Sequence, residues 1–132
     1  AMKPNLVKAR LAPDLSTIED IAPEELTGEP AMSSESAEAL TQMMIQSEEN
    51  TGGGGKDPQL KIASKTGTAE HGSDPKNTPP HAWYTAFAPH DDPKIAVAVI
   101  VESGGNRGLA ATGGTVAAEI ARATISAGLG GG

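Results

Sequence analysis

The sequence has no cysteine, so it holds no disulfide framework and offers no thiol nucleophile or thiolate ligand. That is compatible with an oxidising location. Aromatic residues are nearly as scarce: one Trp, one Tyr and one Phe leave the core to Ala, Val, Ile and Leu. No apolar run approaches the roughly 18 residues of a membrane-spanning helix, and no signal segment is visible. Positive charge is in deficit, with a net charge of −7, which argues against a nucleic-acid or anionic-lipid surface. What is plentiful is Gly and Pro, 16 and 10 residues, so loops take a large share. The unbroken apolar run Ile95 to Val101 excludes disorder throughout, and the length suffices for one domain burying roughly two-thirds of its unfolded surface.

Periodicity and punctuation divide the chain. Asn5 to Leu11 reads as a strand, Pro13-Asp14 as a turn, and Leu15 to Ile21 as a second extended piece. Pro23 to Met32 is a loop. Ser33 or Ser34 is a plausible N-cap with Glu35 in the first turn, and the helix that follows places Ala37, Leu40, Met43 and Met44 on one inward face. Glu48 to Pro58 contains four consecutive glycines, a flexible connector. It is not a phosphate loop, because Gly55-Lys56 is followed by Asp57 rather than Ser or Thr.

After residue 58 the pattern turns to strand, strand, strand, helix. Residues 59–69 form the first strand, His71 to His81 a polar loop, Ala82 to Ala88 the second strand, and Pro89 to Pro93 a hairpin turn. Ile95 to Val101 is the third strand, apolar enough to expect cover on both faces. A helix is expected from about Gly114 to Gly128, with Val116, Ile120, Ala123 and Ala127 inward, then a frayed tail over 129–132. A meander followed by a helix on its face is an α+β pattern.

The first of those strands carries the most chemistry. In Ser64-Lys65-Thr66-Gly67-Thr68-Ala69-Glu70 an extended backbone turns Lys65 and Gly67 to one side and Thr66 and Thr68 to the other. Gly67 leaves room for another backbone to approach, although a bulge is its plain alternative. The cation and hydroxyls suit a carboxylate, and free strand N–H groups suit a substrate backbone or an oxyanion. The plain readings are a solvated Lys65 and strand-favouring β-branched threonines. His71, His81 and His90 invite a metal reading, but spacings of ten and nine fit no compact ligand motif. They read as a rim, a strand-start and a turn residue. Trp83 and Tyr84, being adjacent, point to opposite faces, one into the core.

Lys65-Thr66-Gly67 is the third signature of the penicillin-recognising serine acyltransferases. With His71-Gly72, Pro79-Pro80-His81-Ala82-Trp83-Tyr84, Ala86-Phe87-Ala88-Pro89, Lys94 to Glu102 and Ala111-Thr112-Gly113-Gly114, the chain resembles the class B penicillin-binding proteins, the peptidoglycan D,D-transpeptidases. The resemblance implies an antiparallel sheet flanked by helices, of which this chain is the C-terminal part. Residues 1–58 would supply a strand pair, a helix and the connector, and 59–128 the K-T-G strand, two more strands and the last helix. It gives Lys65 the steering of the substrate's terminal carboxylate, and Thr66 and Thr68 the hydroxyls that hold it. The Thr68 backbone N–H becomes half of an oxyanion hole, and Glu70 and His71 become rim residues. It implies no metal and no cofactor.

The family also needs a Ser-x-x-Lys motif bearing the nucleophile and a Ser-x-Asn motif. No Ser-x-Asn occurs here, and the one Ser-x-x-Lys string, Ser73-Asp74-Pro75-Lys76, is followed by Asn77-Thr78-Pro79-Pro80 rather than an apolar helix. The isolated chain is therefore expected to be inactive. The expected partners are a D-Ala-D-Ala stem peptide, β-lactam antibiotics and the remaining N-terminal part of the domain, in a protein anchored at the extracytoplasmic face of the membrane by a helix outside this chain. Alone, the open edge of Ile95 to Val101 is expected to form a homodimer or to be closed by Asn5 to Leu11. The alternatives are a D,D-carboxypeptidase or β-lactamase, or a non-catalytic module that binds peptidoglycan or a partner along a strand edge.

Overall fold

The computed structural model describes residues 2–26 and 28–130; the end of the expected tail lies outside them. The chain divides into two compact units, Ala1–Ala37 and Glu38–Gly132.

The first unit is a short hairpin, β1 (Ala9–Leu11) against β2 (Thr17–Asp20), antiparallel with Arg10 opposite Glu19. Asp14 makes the turn by accepting from the Ser16 backbone N–H at 3.0 Å and the Ser16 hydroxyl at 2.6 Å. Strand β1 begins later than the sequence pattern suggests. The Asn5 side chain bonds both the N–H and the C=O of Val7, at 3.0 and 2.8 Å, offering that backbone a local alternative to the ladder. Of this segment, Ala9–Leu11 forms the ladder to β2.

Helix α1 (Ser34–Asn50) starts at Ser33, whose hydroxyl accepts from the Ser36 N–H at 3.1 Å. Its inward face is not the expected one. Met43 is 60 % exposed and Leu40 is exposed, whereas Thr41, Met44, Ile45 and Glu48 are partly buried. That stripe keeps the helical spacing but contains a carboxylate, which pattern reading places outside.

The second unit is built on an antiparallel sheet in the order β3 (Ala63–Ala69), β4 (His81–Ala88), β5 (Ile95–Val101). Its buried face carries Ser64 on β3, Ala82, Tyr84, Ala86 and Ala88 on β4, and half-buried Val97, Val99 and Val101 on β5. Helix α2 (Ala118–Gly128) packs there through Ala118, Ala121 and Ile125. The small side chains let helix and sheet come close, and Gly113 allows the closest approach: a Cβ there would lie 2.1 Å from the Trp83 carbonyl oxygen. The expected inward residues Ile120, Ala123 and Ala127 are instead exposed. A π-helical turn over Gly113–Ala117 precedes α2, and its extra residue per turn rotates the inward stripe to 117, 118, 121, 122 and 125.

The α+β class and the antiparallel sheet with helices hold. Cover on both faces of β5 does not: Ala96 and Ala98 are exposed and Ile100 is 41 % exposed. With a period of two, its apolar run fills the core from one face only. Among the described residues no strand pairs with the outer edge of β3 or of β5.

Candidate active-site strand

Strand β3 is entered through a tight turn. Asp57 caps the short 3₁₀ turn Pro58–Leu60 by accepting from the Gln59 N–H at 2.9 Å, and Lys61 takes a left-handed φ of 49°. From Ala63 the ladder to β4 runs without a break, pairing Lys65 with Thr85, Thr66 with Tyr84, Gly67 with Trp83 and Thr68 with Ala82. Gly67 therefore sits at no bulge. A Cβ there would lie 3.3 Å from the Trp83 Cβ, so the glycine serves close cross-strand packing. Lys65 is exposed and its Nζ donates to the Thr66 carbonyl at 2.7 Å. By the ladder's two-residue alternation, the Thr68 N–H is directed to the same edge as that carbonyl.

Thr66 and Thr68 lie on the α2 side of the sheet, each in an open cleft. One, of about 350 Å³, is lined by Ser47, Asn50, Thr51, Thr66, Thr112 and Gly114. The other, of about 330 Å³, includes Thr68, Glu70, Lys76, Pro80, Ala111 and Thr112. Thr112 is common to both. It also caps the helix behind it, accepting from the Thr115 N–H while the Thr115 hydroxyl accepts from its own N–H at 2.8 Å. Glu70 lines the second of these clefts.

His71 is turned back on its own loop. It stacks on His81 with ring centroids 4.0 Å apart and an interplanar angle of 4°, and its Nε2–H donates to the Pro79 carbonyl at 2.9 Å. His81 Nδ1 accepts the Ser103 N–H at 3.0 Å. His90 lies past the other end of β4. Ser73 to Lys76 falls in exposed turns tied by Asp74 to Asn77 and Thr78, with no helix starting at Ser73.

The unforeseen feature is a polar cluster directly behind the strand. Glu48 accepts from the Ser64 hydroxyl, from the Tyr84 hydroxyl at 2.6 Å and from Arg122 Nε at 2.8 Å. The rest of the Arg122 guanidinium reaches the carbonyls of Thr51, Gly52, Gly53 and Gly54, so the glycine connector is tethered rather than free. Burial opposes ionisation of Glu48, but the hydrogen bonds from Arg122, Ser64 and Tyr84 outweigh it and hold the carboxyl below its ordinary value. Burial, then the bond to Glu48, pushes the Tyr84 hydroxyl up to about 12. The available signal was Glu48 falling on the i, i+3, i+4, i+7 stripe of α1.

Residues 1–126 match the family described as penicillin binding protein transpeptidase domain. The chain belongs to that family. This transpeptidase-domain chain is 56 % identical over 129 residues to the Mycolicibacterium smegmatis protein named peptidoglycan D,D-transpeptidase PbpA, covering 98 % of the chain and 26 % of that relative. It is 50 % identical over 128 residues to the Mycobacterium tuberculosis protein of the same name, covering 97 % and 26 %. Penicillin-binding protein A from M. tuberculosis, solved as a ceftriaxone acyl-enzyme complex, superposes with a TM-score of 0.85 at 50 % identity, covering 97 % of this chain and 28 % of that one. A D,D-transpeptidase domain from Eggerthella lenta gives 0.66 at 26 % identity over 97 % of this chain and 28 % of its own. The chain spans about a quarter of the length of the curated relatives it matches.

Proposed function

We propose that this chain supplies the K-T-G strand of a serine D,D-transpeptidase that cross-links peptidoglycan stem peptides and is acylated by β-lactams. One observation carries it: a Lys-Thr-Gly-Thr run on an edge of β3 that is unpaired among the described residues, between two clefts, in a chain half identical to a protein that forms a ceftriaxone acyl-enzyme. In this reading the whole chain is the C-terminal portion of a transpeptidase domain, with the site strand in 59–128, held at the extracytoplasmic face of the membrane.

Lys65 draws the substrate's terminal carboxylate to the edge, and the Thr66 and Thr68 hydroxyls hold it. A serine from outside these residues attacks the carbonyl of the penultimate D-Ala, and the carbonyl oxygen takes up charge against the Thr68 N–H and the serine's own N–H. Collapse of the adduct expels D-alanine. The acyl group then passes from the serine ester to the amine of a second stem peptide, which regenerates the serine hydroxyl. Glu70 lines the rim, and the loop holding His71 closes the end of the strand.

Product partition tests the reaction class. Full-length protein given a D-Ala-D-Ala stem peptide and a D-amino-acid acceptor forms the aminolysis product; hydrolysis alone would instead mean a carboxypeptidase or β-lactamase. The 132-residue chain by itself takes up no fluorescent penicillin. Stoichiometric labelling of one of its own serines would overturn the assignment of the nucleophile to another segment.

A further inference from the structure

Resting on that reading of β3, we infer that Glu48 and Arg122 are positioning residues for the K-T-G run, acting through Ser64 and Tyr84. Both contacts from Glu48 to the sheet fall beside the motif. Ser64 immediately precedes Lys65, and Tyr84 is paired directly opposite Thr66. The same carboxylate takes the Arg122 Nε, and the rest of that guanidinium holds the carbonyls of residues 51–54, the segment that leads into β3. One ion pair therefore fixes the strand, its entry and its neighbour.

The connector is also fixed from its far side. Gly53 has a φ of +86°, and a Cβ there would lie 2.2 Å from the Gly114 carbonyl oxygen. Gly114 lies two residues from Thr112, which lines both clefts beside the motif. So the cluster ties the K-T-G strand to the residues across the clefts from it.

Position matters because, among the described residues, β3 is an edge strand held by one neighbour. A one-residue slip would exchange the faces of Lys65 and Thr66, and misplacement by about 1 Å can cost about a hundredfold in rate. Stability alone gives little reason for the pair, since a buried ion pair is commonly replaceable by apolar residues without loss. Donors converging from α2, β3 and β4 on one carboxylate are a means of setting relative position.

The test uses the full-length protein and penicillin G in stopped flow, which separates initial binding from the acylation rate constant. Ser64→Ala and Tyr84→Phe remove one donor each with little change of shape. The double variant slows acylation about tenfold or more, with the protein still folded. Ile125→Val, a core change on α2, serves as a control giving a comparable loss of Tm, and it acylates at the wild-type rate. If the double variant stays within about threefold of wild type while Lys65→Ala is slow, the positioning role is refuted and the reading of β3 stands. If Ile125→Val slows acylation as much as the double variant, the cluster is merely structural. If Lys65→Ala itself acylates normally, the reading of β3 fails and this inference fails with it.

Discussion

Replacing Arg122 with Met keeps most of the aliphatic stem and removes a guanidinium that is completely buried. The lost donors reach Glu48 at 2.8 Å, the Gly54 carbonyl at 2.8 Å and the Gly52 carbonyl at 3.0 Å. Three of the four connector carbonyls belong to exposed glycines, and the fourth to buried Thr51, so water can replace the arginine at most of them at small cost. Glu48 has no such relief, because its side chain is 13 % exposed and would keep only Ser64 and Tyr84. Removing one partner of a buried pair typically costs about 3–5 kcal/mol, and the exposed glycines place Arg122→Met near the lower end. Pairing it with Glu48→Gln removes the stranded charge and should restore about 1–2 kcal/mol. Equilibrium urea unfolding followed by fluorescence of Trp83, the one tryptophan in the chain, measures both. A single variant costing less than about 1 kcal/mol, or a double no more stable than the single, would refute the idea that the carboxylate depends on this cation.

Three further outcomes are expected. Because Glu48 titrates below its ordinary value of 4.5 in the fold, its contribution is present above that pH and is lost as pH falls through the folded value; acid unfolding of Glu48→Gln should lack this component. Tyr84, the sole tyrosine, should titrate by ultraviolet absorbance at about 12 rather than 10, so its stabilisation is complete below pH 10 and lost as pH rises through about 12. Gly113→Ala puts a Cβ 2.1 Å from the Trp83 carbonyl oxygen and 2.9 Å from the Thr66 Cβ. It should cost about 3 kcal/mol or more by thermal unfolding, whereas Gly28→Ala, with nothing within 4 Å, should be close to neutral.

The sheet was legible because its strands obey simple rules. Of the strand expected over 59–69, residues 63–69 are extended, its start being taken by the 3₁₀ turn Pro58–Leu60 and the left-handed Lys61; the apolar run marks Ile95–Val101, and Ser33 announces α1. The candidate strand stood out as well, since cation, hydroxyl and glycine sit together in sequence. What stayed hidden depends on contacts between distant residues. Glu48 and Arg122 are 74 positions apart, and each is a charge that periodicity assigns to solvent. The same arginine, by bonding three of the four glycine carbonyls, converts a slack linker into a held segment. The inward face of α2 was hidden by the π turn before it, which no apolar pattern announces, and the late start of β1 by an asparagine bonded to its own neighbour.

The central claim is that the edge of β3 holds the substrate carboxylate and the developing oxyanion. Stopped-flow acylation of the full-length protein by penicillin, comparing wild type with Lys65→Ala and Thr68→Ala, tests it most directly. Loss of the Lys65 charge should slow acylation by about 10²–10³, roughly 3–4 kcal/mol. Thr68→Ala keeps its backbone N–H and loses a hydroxyl, so it should cost less, about 1–2 kcal/mol. A folded Lys65→Ala variant that acylates within about threefold of wild type, against the roughly hundredfold loss expected of such a group, would contradict the account.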